Sequence, residues 1–435
     1  MQSTSCDTGI KDVESSHLTA TRYPLEFDWP DDTYNALCCA GNGKIYYVIS
    51  STSIDRGGQM HSFDPFTGKK KFLGDLTEIC GEKGKNTIPQ GKSHTRFYEC
   101  NGKLYFATHV GYYQTIDGIE RMPENTPAGY DLYPGGHILS YDLTSEKFED
   151  LVTMEDGQGI ITMTMDCNRG HIYAITWPKG DFVHYDSSLN KLKNLGPVSA
   201  KGEAGVAGED YRVLCRSMFI DPKTGSVYFS TSEGDIFIYR SYSTSFRKME
   251  DVNLRFDYFG KYDPAQPGSM GYNWRKIIWD PVAEVAYGVH GGSGYLFRFD
   301  PRNETLEIID RITSAPSKKS GMFSQSRYGS LAFQLGPDNT LYYLTTGPVC
   351  AEGTGRSNSA IIKGVENLHL ITYRTSGMKY TDHGPVFFED GSRPGPVNSI
   401  AVAGENIFTL SWSQDNGKKV MNLLKIRNPF LSGEV

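Results

Sequence analysis

Asn101-Gly102-Lys103-Leu104-Tyr105-Phe106-Ala107-Thr108-His109 reads as a β-strand entered through a tight turn. Asn-Gly is a strong two-residue hairpin signal, and the aromatic, β-rich run behind it has the alternation of a half-buried strand. The same grammar recurs along the chain. Lys44-Ile45-Tyr46-Tyr47 follows Asn42-Gly43, and His171-Ile172-Tyr173-Ala174 follows Asn168-Arg169-Gly170. Ser226-Val227-Tyr228-Phe229 follows Pro222-Lys223-Thr224-Gly225. Glu284-Val285-Ala286-Tyr287, Thr340-Leu341-Tyr342-Tyr343 and Asn406-Ile407-Phe408-Thr409 complete the series. The anchor aromatics Tyr46, Tyr105, Tyr173, Tyr228, Tyr287, Tyr342 and Phe408 define seven units of about sixty residues, a period that belongs to a repeat architecture.

A second run follows each anchor and tends to end in an aromatic plus a polar residue. Examples are Met60-His61-Ser62-Phe63-Asp64, Ile138-Leu139-Ser140-Tyr141-Asp142, Phe182-Val183-His184-Tyr185-Asp186 and Leu296-Phe297-Arg298-Phe299-Asp300. Phe237-Ile238-Tyr239 and His369-Leu370-Ile371-Thr372-Tyr373 fit the pattern, and a weaker run lies near Met421 to Ile426. Helix-period segments are lacking. Each unit therefore reads as a four-stranded antiparallel sheet. Seven such sheets predict an all-β, seven-bladed β-propeller, whose radial repetition leaves only short edges. A β-solenoid or two separate β-domains fit units of this size and strand count less well. The last unit is short of a fourth strand, and the segment Leu18 to Phe27 is expected to supply it and close the ring. Residues 1–17 are expected to be a flexible N-terminal segment and 18–435 a single propeller domain.

Composition agrees with a folded chain. It has 435 residues, 38% of them apolar and 12% aromatic, enough to fill a core. A net charge of −7 lacks the basic surplus of a nucleic-acid binder. No apolar run approaches the ~18 residues of a membrane helix. The eight cysteines, Cys6, Cys38, Cys39, Cys80, Cys100, Cys167, Cys215 and Cys350, form no C-x-x-C pair. They read as mostly free thiols, with at least one disulfide as the alternative. The polar stretch from Met1 to Asp12 carries no apolar signal core. It fits a mature export product behind an added start methionine, hence a secreted or periplasmic protein; a cytoplasmic one stays open.

In a propeller blade the start of the innermost strand and the end of the second strand lie on one face. Counting about twelve residues back from each anchor gives Tyr34, His94, Thr162, Arg216, Arg275, Ser330 and Val397-Asn398. Counting about four forward gives Ser50, His109, Trp177, Ser232, His290-Gly291, Thr346 and Trp412. One blade thus sets His94 and His109 across a hairpin, and two others set Arg216 and Arg275 at equivalent entries. Tyr211, Arg212, Tyr272, Asn273 and Trp274 are near in sequence. The long connections Val110 to Gly136 and Gly347 to Asn367 emerge on the same face, and loops of that length are usually functional. Tyr112, Tyr113, Tyr130 and Tyr133 lie on the first of them.

A face rich in His, Arg, Tyr and Trp and poor in carboxylates suits an anionic ligand with flat sugar faces. Arginine pairs a carboxylate or sulfate in a bidentate fork. Each residue also has a plain structural reading, as an inter-blade ion pair, a hydrogen-bonded core histidine or a ring plug. Among reactions, a serine nucleophile lacks its G-x-S-x-G elbow. No phosphate loop, H-E-x-x-H or EF-hand occurs. The strand ends offer no carboxylate pair for a glycosidase, although Asp131, Glu203, Glu209, Asp210 and Asp263 in loops leave hydrolysis open. β-Elimination fits better: it needs a uronate carboxylate neutralised, a base for the C5 proton and an acid for the leaving oxygen, all within reach of Arg, His and Tyr.

Lys92-Ser93-His94-Thr95-Arg96-Phe97 followed by Leu104-Tyr105-Phe106-Ala107-Thr108-His109 resembles the seven-bladed propeller polysaccharide lyases, among them ulvan lyases and L-rhamnose-α-1,4-D-glucuronate lyases. Those enzymes pair histidines across a hairpin of an early blade. The blade plan resembles theirs over most of the chain, and the local motif covers under twenty residues. Their next blade carries a Tyr and an Arg where this sequence has Thr162 and Trp177. The resemblance implies a lyase on an anionic uronate polysaccharide or its oligosaccharides, with His109 as base or acid and His94 beside it. Arg216 takes the carboxylate with help from Arg275, and Tyr211 or Tyr272 completes proton transfer. Trp177, Arg212, Tyr34, Trp274, His290, Tyr112 and Tyr113 are the expected substrate contacts. The chemistry requires no cofactor, though relatives hold a calcium or zinc ion, for which no ligand set can be read here. Some related propellers are α-L-rhamnosidases, so a hydrolase is one alternative and a non-catalytic glycan- or protein-binding propeller the other. A monomer is expected, with no nucleic-acid partner.

Overall fold

The structure, a computed structural model, describes residues 17–27, 34–116, 118–267, 270–291, 293–320, 331–336, 339–345, 367–415 and 418–430. The expected flexible segment up to residue 16, most of the expected 347–367 loop, Ser330, Thr346, Cys6 and Cys350 lie outside the described residues.

The chain is a β-propeller built from the seven repeats. Blade one comprises Leu37–Cys39, Ile45–Ile49, Gln59–Phe63 and Lys70–Asp75. Blade two comprises Tyr98–Cys100, Lys103–Ala107, His137–Asp142 and Phe148–Thr153. Blade three runs Gly159–Asp166, His171–Trp177, Asp181–Asp186 and Lys191–Pro197. Blade four runs Phe219–Asp221, Ser226–Ser230, Asp235–Tyr239 and Arg247–Asn253. Blade five runs Trp274–Asp280, Val285–His290, Tyr295–Asp300 and Thr305–Arg311. Blade six contains Phe333–Leu335, Thr340–Leu344, His369–Arg374 and Lys379–Phe388. Blade seven contains Ala401–Ala403, Asn406–Asp415 and Lys418–Arg427.

The N-terminal strand Leu18–Pro24 is the fourth strand of blade seven, antiparallel to Lys418–Arg427 with Ala20 opposite Ile426 and Pro24 opposite Asn422. The ring is thus closed by pairing the start of the chain with its end, as the sequence predicts. An unforeseen feature is that Leu18, Thr19 and Ala20 also pair, in parallel, with Val386, Phe387 and Phe388 of blade six. Blades six and seven therefore share one continuous eight-stranded sheet.

Aromatics of the first and second runs fill the spaces between blades. Tyr46, Phe106 and Tyr141 pack between blades one and two, and Tyr173, Phe182, Phe229 and Tyr239 between blades three and four. Phe106 is fully buried, and truncating such a side chain to alanine costs about 3–5 kcal/mol. The aspartates that end the second runs cap the turns that follow. Asp64, Asp142, Asp186 and Asp300 each accept hydrogen bonds from two backbone N–H groups two and three residues on, the short turn that Asp favours.

Cys100 and Cys167 form a disulfide between the innermost strand of blade two and the first turn of blade three. Cys38, Cys39, Cys80 and Cys215 are free thiols. Among the described residues no helix is long and apolar enough to cross a membrane.

Candidate functional site

One end of the ring gathers six of the residues chosen by blade counting. A cavity of about 70 Å³ is lined by Tyr34, His94, His109, Tyr113, Trp177, Arg216 and Arg275, with Asn35, Glu120, Ile161, Glu203 and Leu331. Blade two presents the two histidines. His109 follows its second strand and exchanges backbone hydrogen bonds with Lys92, His109 N–H to Lys92 O at 2.7 Å and the reverse at 2.9 Å. That bridge sets His94, two residues further on, beside His109, with ring centroids 4.6 Å apart and near-perpendicular planes. Tyr34 stacks on His94 at 4.1 Å, and Trp177 meets the edge of His109 at 5.3 Å. Tyr113, from the long connection of blade two, closes the cluster against Trp177 at 5.5 Å.

Gly159 allows this packing. A Cβ there would stand 2.4 Å from His109 Nδ1, so only glycine lets blade three approach the ring. His109 Nδ1 is buried and without a hydrogen-bond partner among the described residues.

Two arginines and two carboxylates, Glu120 and Glu203, line the cavity, so it is not the carboxylate-poor face that the sequence suggested. Burial pushes the His109 pKa well below the usual histidine value, and Lys92 and Arg216 add to the effect. Burial does the same to His94, reinforced by His109, Lys92, Arg216 and Arg275. Both imidazoles are therefore neutral at pH 7, each with an sp² nitrogen able to take a proton. The Lys92 ammonium lies over the rings of Tyr34 and Tyr113, at 5.3 and 4.7 Å. Arg275 is 1% exposed and donates from Nη1 to Met270 Sδ at 3.4 Å.

Arg216 is more committed than the sequence implied. It donates from Nη2 to Glu203 Oε1 at 2.6 Å and from Nη1 to Leu214 O at 3.1 Å. Glu203 in turn accepts from Trp177 Nε1 at 2.8 Å and from Leu214 N–H at 3.0 Å. Both oxygens of this buried carboxylate are taken, so Glu203 is a counter-ion that orients Arg216 and Trp177. The long connection reaches over the cavity as a short hairpin, Gln114–Ile116 and Ile119–Arg121. Arg121 pins it by donating to Glu203 O and Gly205 O at 2.5 and 2.9 Å, which brings Glu120 to the wall.

Other expected site residues stand elsewhere. Thr162 gives way to Ile161, because blade three carries a β-bulge between Ile160 and Thr162 that shifts the register by one. A matching bulge between Trp274 and Lys276 turns Arg275 into the cavity and leaves Trp274 in the core, donating to Ser217 O at 2.7 Å. Tyr211 is buried with Val213 and Met270. Tyr272 packs against Tyr262, with ring centroids 5.2 Å apart. Arg212 pairs with Glu233 at 2.8 Å. His290 is buried, stacks on Phe259 at 4.0 Å and binds Ser293 Oγ through Nδ1. Tyr112 packs on the core between blades three and four. None of these lines the cavity; Tyr211 instead lies against the hairpin, its ring centroid 5.8 Å from the Arg121 guanidinium carbon. Lys92 was missed although it sits two residues before His94, where strand alternation places it on the same side. Glu120 and Asn35 had no sequence signal.

Beneath the hairpin lies a buried polar hub. Gln90 Oε1 accepts from Thr108 Oγ1 at 2.7 Å and from Tyr133 OH at 2.6 Å, while Nε2 donates to Glu82 and to Gly135 O. His137 joins it with Nε2 3.0 Å from Glu82 and Nδ1 2.8 Å from Asp150. A neutral imidazole has one N–H, so two carboxylate partners call for the imidazolium. Burial opposes that charge, but hydrogen bonds to Asp150, Cys80 and Glu82 overcome it and lift the pKa to about 11. The hub fixes Thr108, the residue before His109, and the base of the long connection.

Among the described residues no group of three or more His, Cys, Asp or Glu is arranged to hold a metal ion. The calcium or zinc implied by the resemblance finds no ligand set there, and no step below uses one.

No family model matches the chain, and no curated protein does. Solved structures do. A chain of the mitotic checkpoint complex matches over 98% of this chain and 97% of its own, with a TM-score of 0.53 and 10% identity. A chain of a nidogen/laminin complex covers 83% of this chain and 98% of its own at 11% identity, with a TM-score of 0.43, too low to carry an argument. The first likeness agrees with the β-propeller fold, and at that identity it reaches no further.

Proposed function

We propose that the cavity recognises the carboxylate of a uronic-acid-containing glycan and that the chain cleaves the glycan by β-elimination. The observation that carries this reading is the contact of two neutral imidazoles, 4.6 Å apart, in a cavity that also presents Arg216 and Arg275. The arginines would neutralise the uronate carboxylate, which acidifies the C5 hydrogen. His109 would take that proton as general base. The C5–H electron pair becomes the C4–C5 double bond, the C4–O bond breaks, and a second group protonates the leaving oxygen. His94 or the stacked Tyr34 would supply that proton, in place of Tyr211 and Tyr272, which stand outside the cavity. Trp177 offers an apolar wall for a sugar face. The Cys100–Cys167 disulfide suits an oxidising compartment and so supports a secreted or periplasmic protein. Hydrolysis is less well supported, because the Glu203 carboxylate is fully engaged.

The solved neighbour favours a second reading, a non-catalytic propeller that binds a protein partner, since the similar chain belongs to a protein assembly. In that reading the arginines of the cavity receive an acidic side chain. An absorbance screen against ulvan, gum arabic, pectin, heparin and alginate separates the two. Elimination leaves a double bond conjugated to the carboxylate, so the ultraviolet absorbance rises with wild type and stays flat with His109→Ala. A flat trace on every polymer, with no reducing sugar released, rejects the enzyme and leaves the binding propeller.

A further inference from the structure

A second cavity, of about 210 Å³, lies among the innermost strands of the ring, beside the first. Asn35 stands between the two. Its Nδ2 donates to His94 O at 2.9 Å, and its Oδ1 accepts from Lys276 Nζ at 2.6 Å. Lys276 is 7% exposed, so its ammonium is almost removed from water. Among the described residues no carboxylate lies within ion-pair distance of it, and the charged groups that act on it are the cations Arg96 and Arg275. Arg96 lines the same cavity, with its guanidinium carbon 5.0 Å from the Tyr98 ring centroid. Ser399 lines it too, 2% exposed, with a hydroxyl that has no partner among the described residues. Glu99 is the one carboxylate on the described wall, and it accepts the Gly41 N–H at 2.7 Å.

A buried ammonium without a counter-charge is strongly unfavourable, and buried charges in proteins are paired. Here the described wall carries the buried Lys276, the solvent-exposed Arg96, the single carboxylate Glu99 and a hydroxyl without a partner among the described residues, around open space. We propose that this central cavity is a binding site for a tetrahedral oxyanion, sulfate or phosphate, held by Lys276, Arg96 and the Ser399 hydroxyl. Burial, with Arg96 and Arg275 adding to it, holds Lys276 well below the usual lysine range, a penalty that an anion between these groups relieves. The oxyanion arrives either as the free ion or as an ester on a sugar. Because Asn35 lines both cavities, a sulfated glycan with its uronate at the histidines would place a neighbouring ester here.

Calorimetric titration of the full chain with sodium sulfate and with sodium phosphate, against sodium chloride at matched ionic strength, tests this. Saturable binding of sulfate or phosphate, and not of chloride, is expected. Lys276→Met should weaken it at least tenfold and leave the anion-free melting midpoint equal or higher, since it removes a charge that is costly to bury. Arg96→Gln should weaken binding by a smaller factor while keeping Lys276. His109→Ala, in the other cavity, should bind sulfate as wild type does, so the result stands whether or not elimination is observed. Glucose 6-sulfate distinguishes the sources: tighter binding than inorganic sulfate, lost in Lys276→Met, supports the ester, and no gain supports the free ion. The inference is overturned if wild type binds neither oxyanion saturably, or if Lys276→Met binds them as well as wild type.

Discussion

Replacing His137 with glutamine should destabilise the protein most at neutral pH and progressively less as pH rises. His137 is 4% exposed, between Glu82 and Asp150, and its pKa is lifted to about 11. An unfolded histidine titrates near 6.5. The folded state therefore keeps a proton that the unfolded state loses above that pH. Stability from this group is complete below about pH 6.5 and drains away as pH rises toward about 11. At about 1.4 kcal/mol per pH unit, wild type should lose about 3 kcal/mol between about pH 6.5 and 9 through this one site. In His137→Gln that slope disappears. The buried Glu82 is left without its counter-charge, at a cost of about 3–5 kcal/mol near neutral pH, the usual penalty for breaking a buried pair, while water solvates the exposed Asp150. Urea unfolding of both proteins at pH 7, 8 and 9 measures it. The free-energy gap should shrink by about 1.4 kcal/mol per unit. Parallel stability curves would refute the imidazolium.

Gly159→Ala should displace the His109 ring, because the new Cβ would lie 2.4 Å from Nδ1; we expect loss of uronate binding and a cost of about 1–3 kcal/mol, measured by calorimetry and urea unfolding. Reduction of the Cys100–Cys167 disulfide, or Cys100→Ser with Cys167→Ser, should remove about 2–5 kcal/mol, seen as a lower melting temperature in dithiothreitol that the double variant no longer shows. Below about pH 6.5 the stability of wild type should fall more steeply than that of His94→Gln. The buried neutral imidazole resists a proton that the unfolded chain accepts, so stability from this site rises with pH across that range.

The ring was legible because its repeat is written in local chemistry. A turn signal ahead of Tyr46 or Tyr105, period-two alternation and a turn-capping Asp after Phe63 or Tyr141 each act within a few residues. Ring closure by Leu18 to Pro24 followed from the missing strand of the last unit. Blade counting then brought His94, His109, Trp177, Arg216 and Arg275 to one cavity, because propeller geometry turns sequence offset into position. It failed where geometry departs from the ideal repeat. The bulge at Ile161 exchanged that residue for Thr162, and Tyr211 and Tyr272, in the segments ahead of their inner strands, pack on Val213 and Met270 and on Tyr262 instead. Contacts between distant segments carried no local signature: Glu203 on Arg216, Gln90 beneath Thr108, and the parallel pairing of Leu18 with Val386. The Cys100–Cys167 bond belongs with them, since its partners are adjacent only once blades two and three have packed.

The central claim is that one cavity holds a uronate between its arginines and its histidines. The most direct test is a crystal structure of His109→Ala with a rhamnose–glucuronate oligosaccharide, in which elimination is blocked and the ligand persists. The account predicts the glucuronate carboxylate against Arg275 and Arg216, with C5 facing the space vacated by the imidazole and a sugar face on Trp177. A carboxylate bound elsewhere on the ring, or an oligosaccharide that does not enter the cavity at saturating concentration, would contradict it.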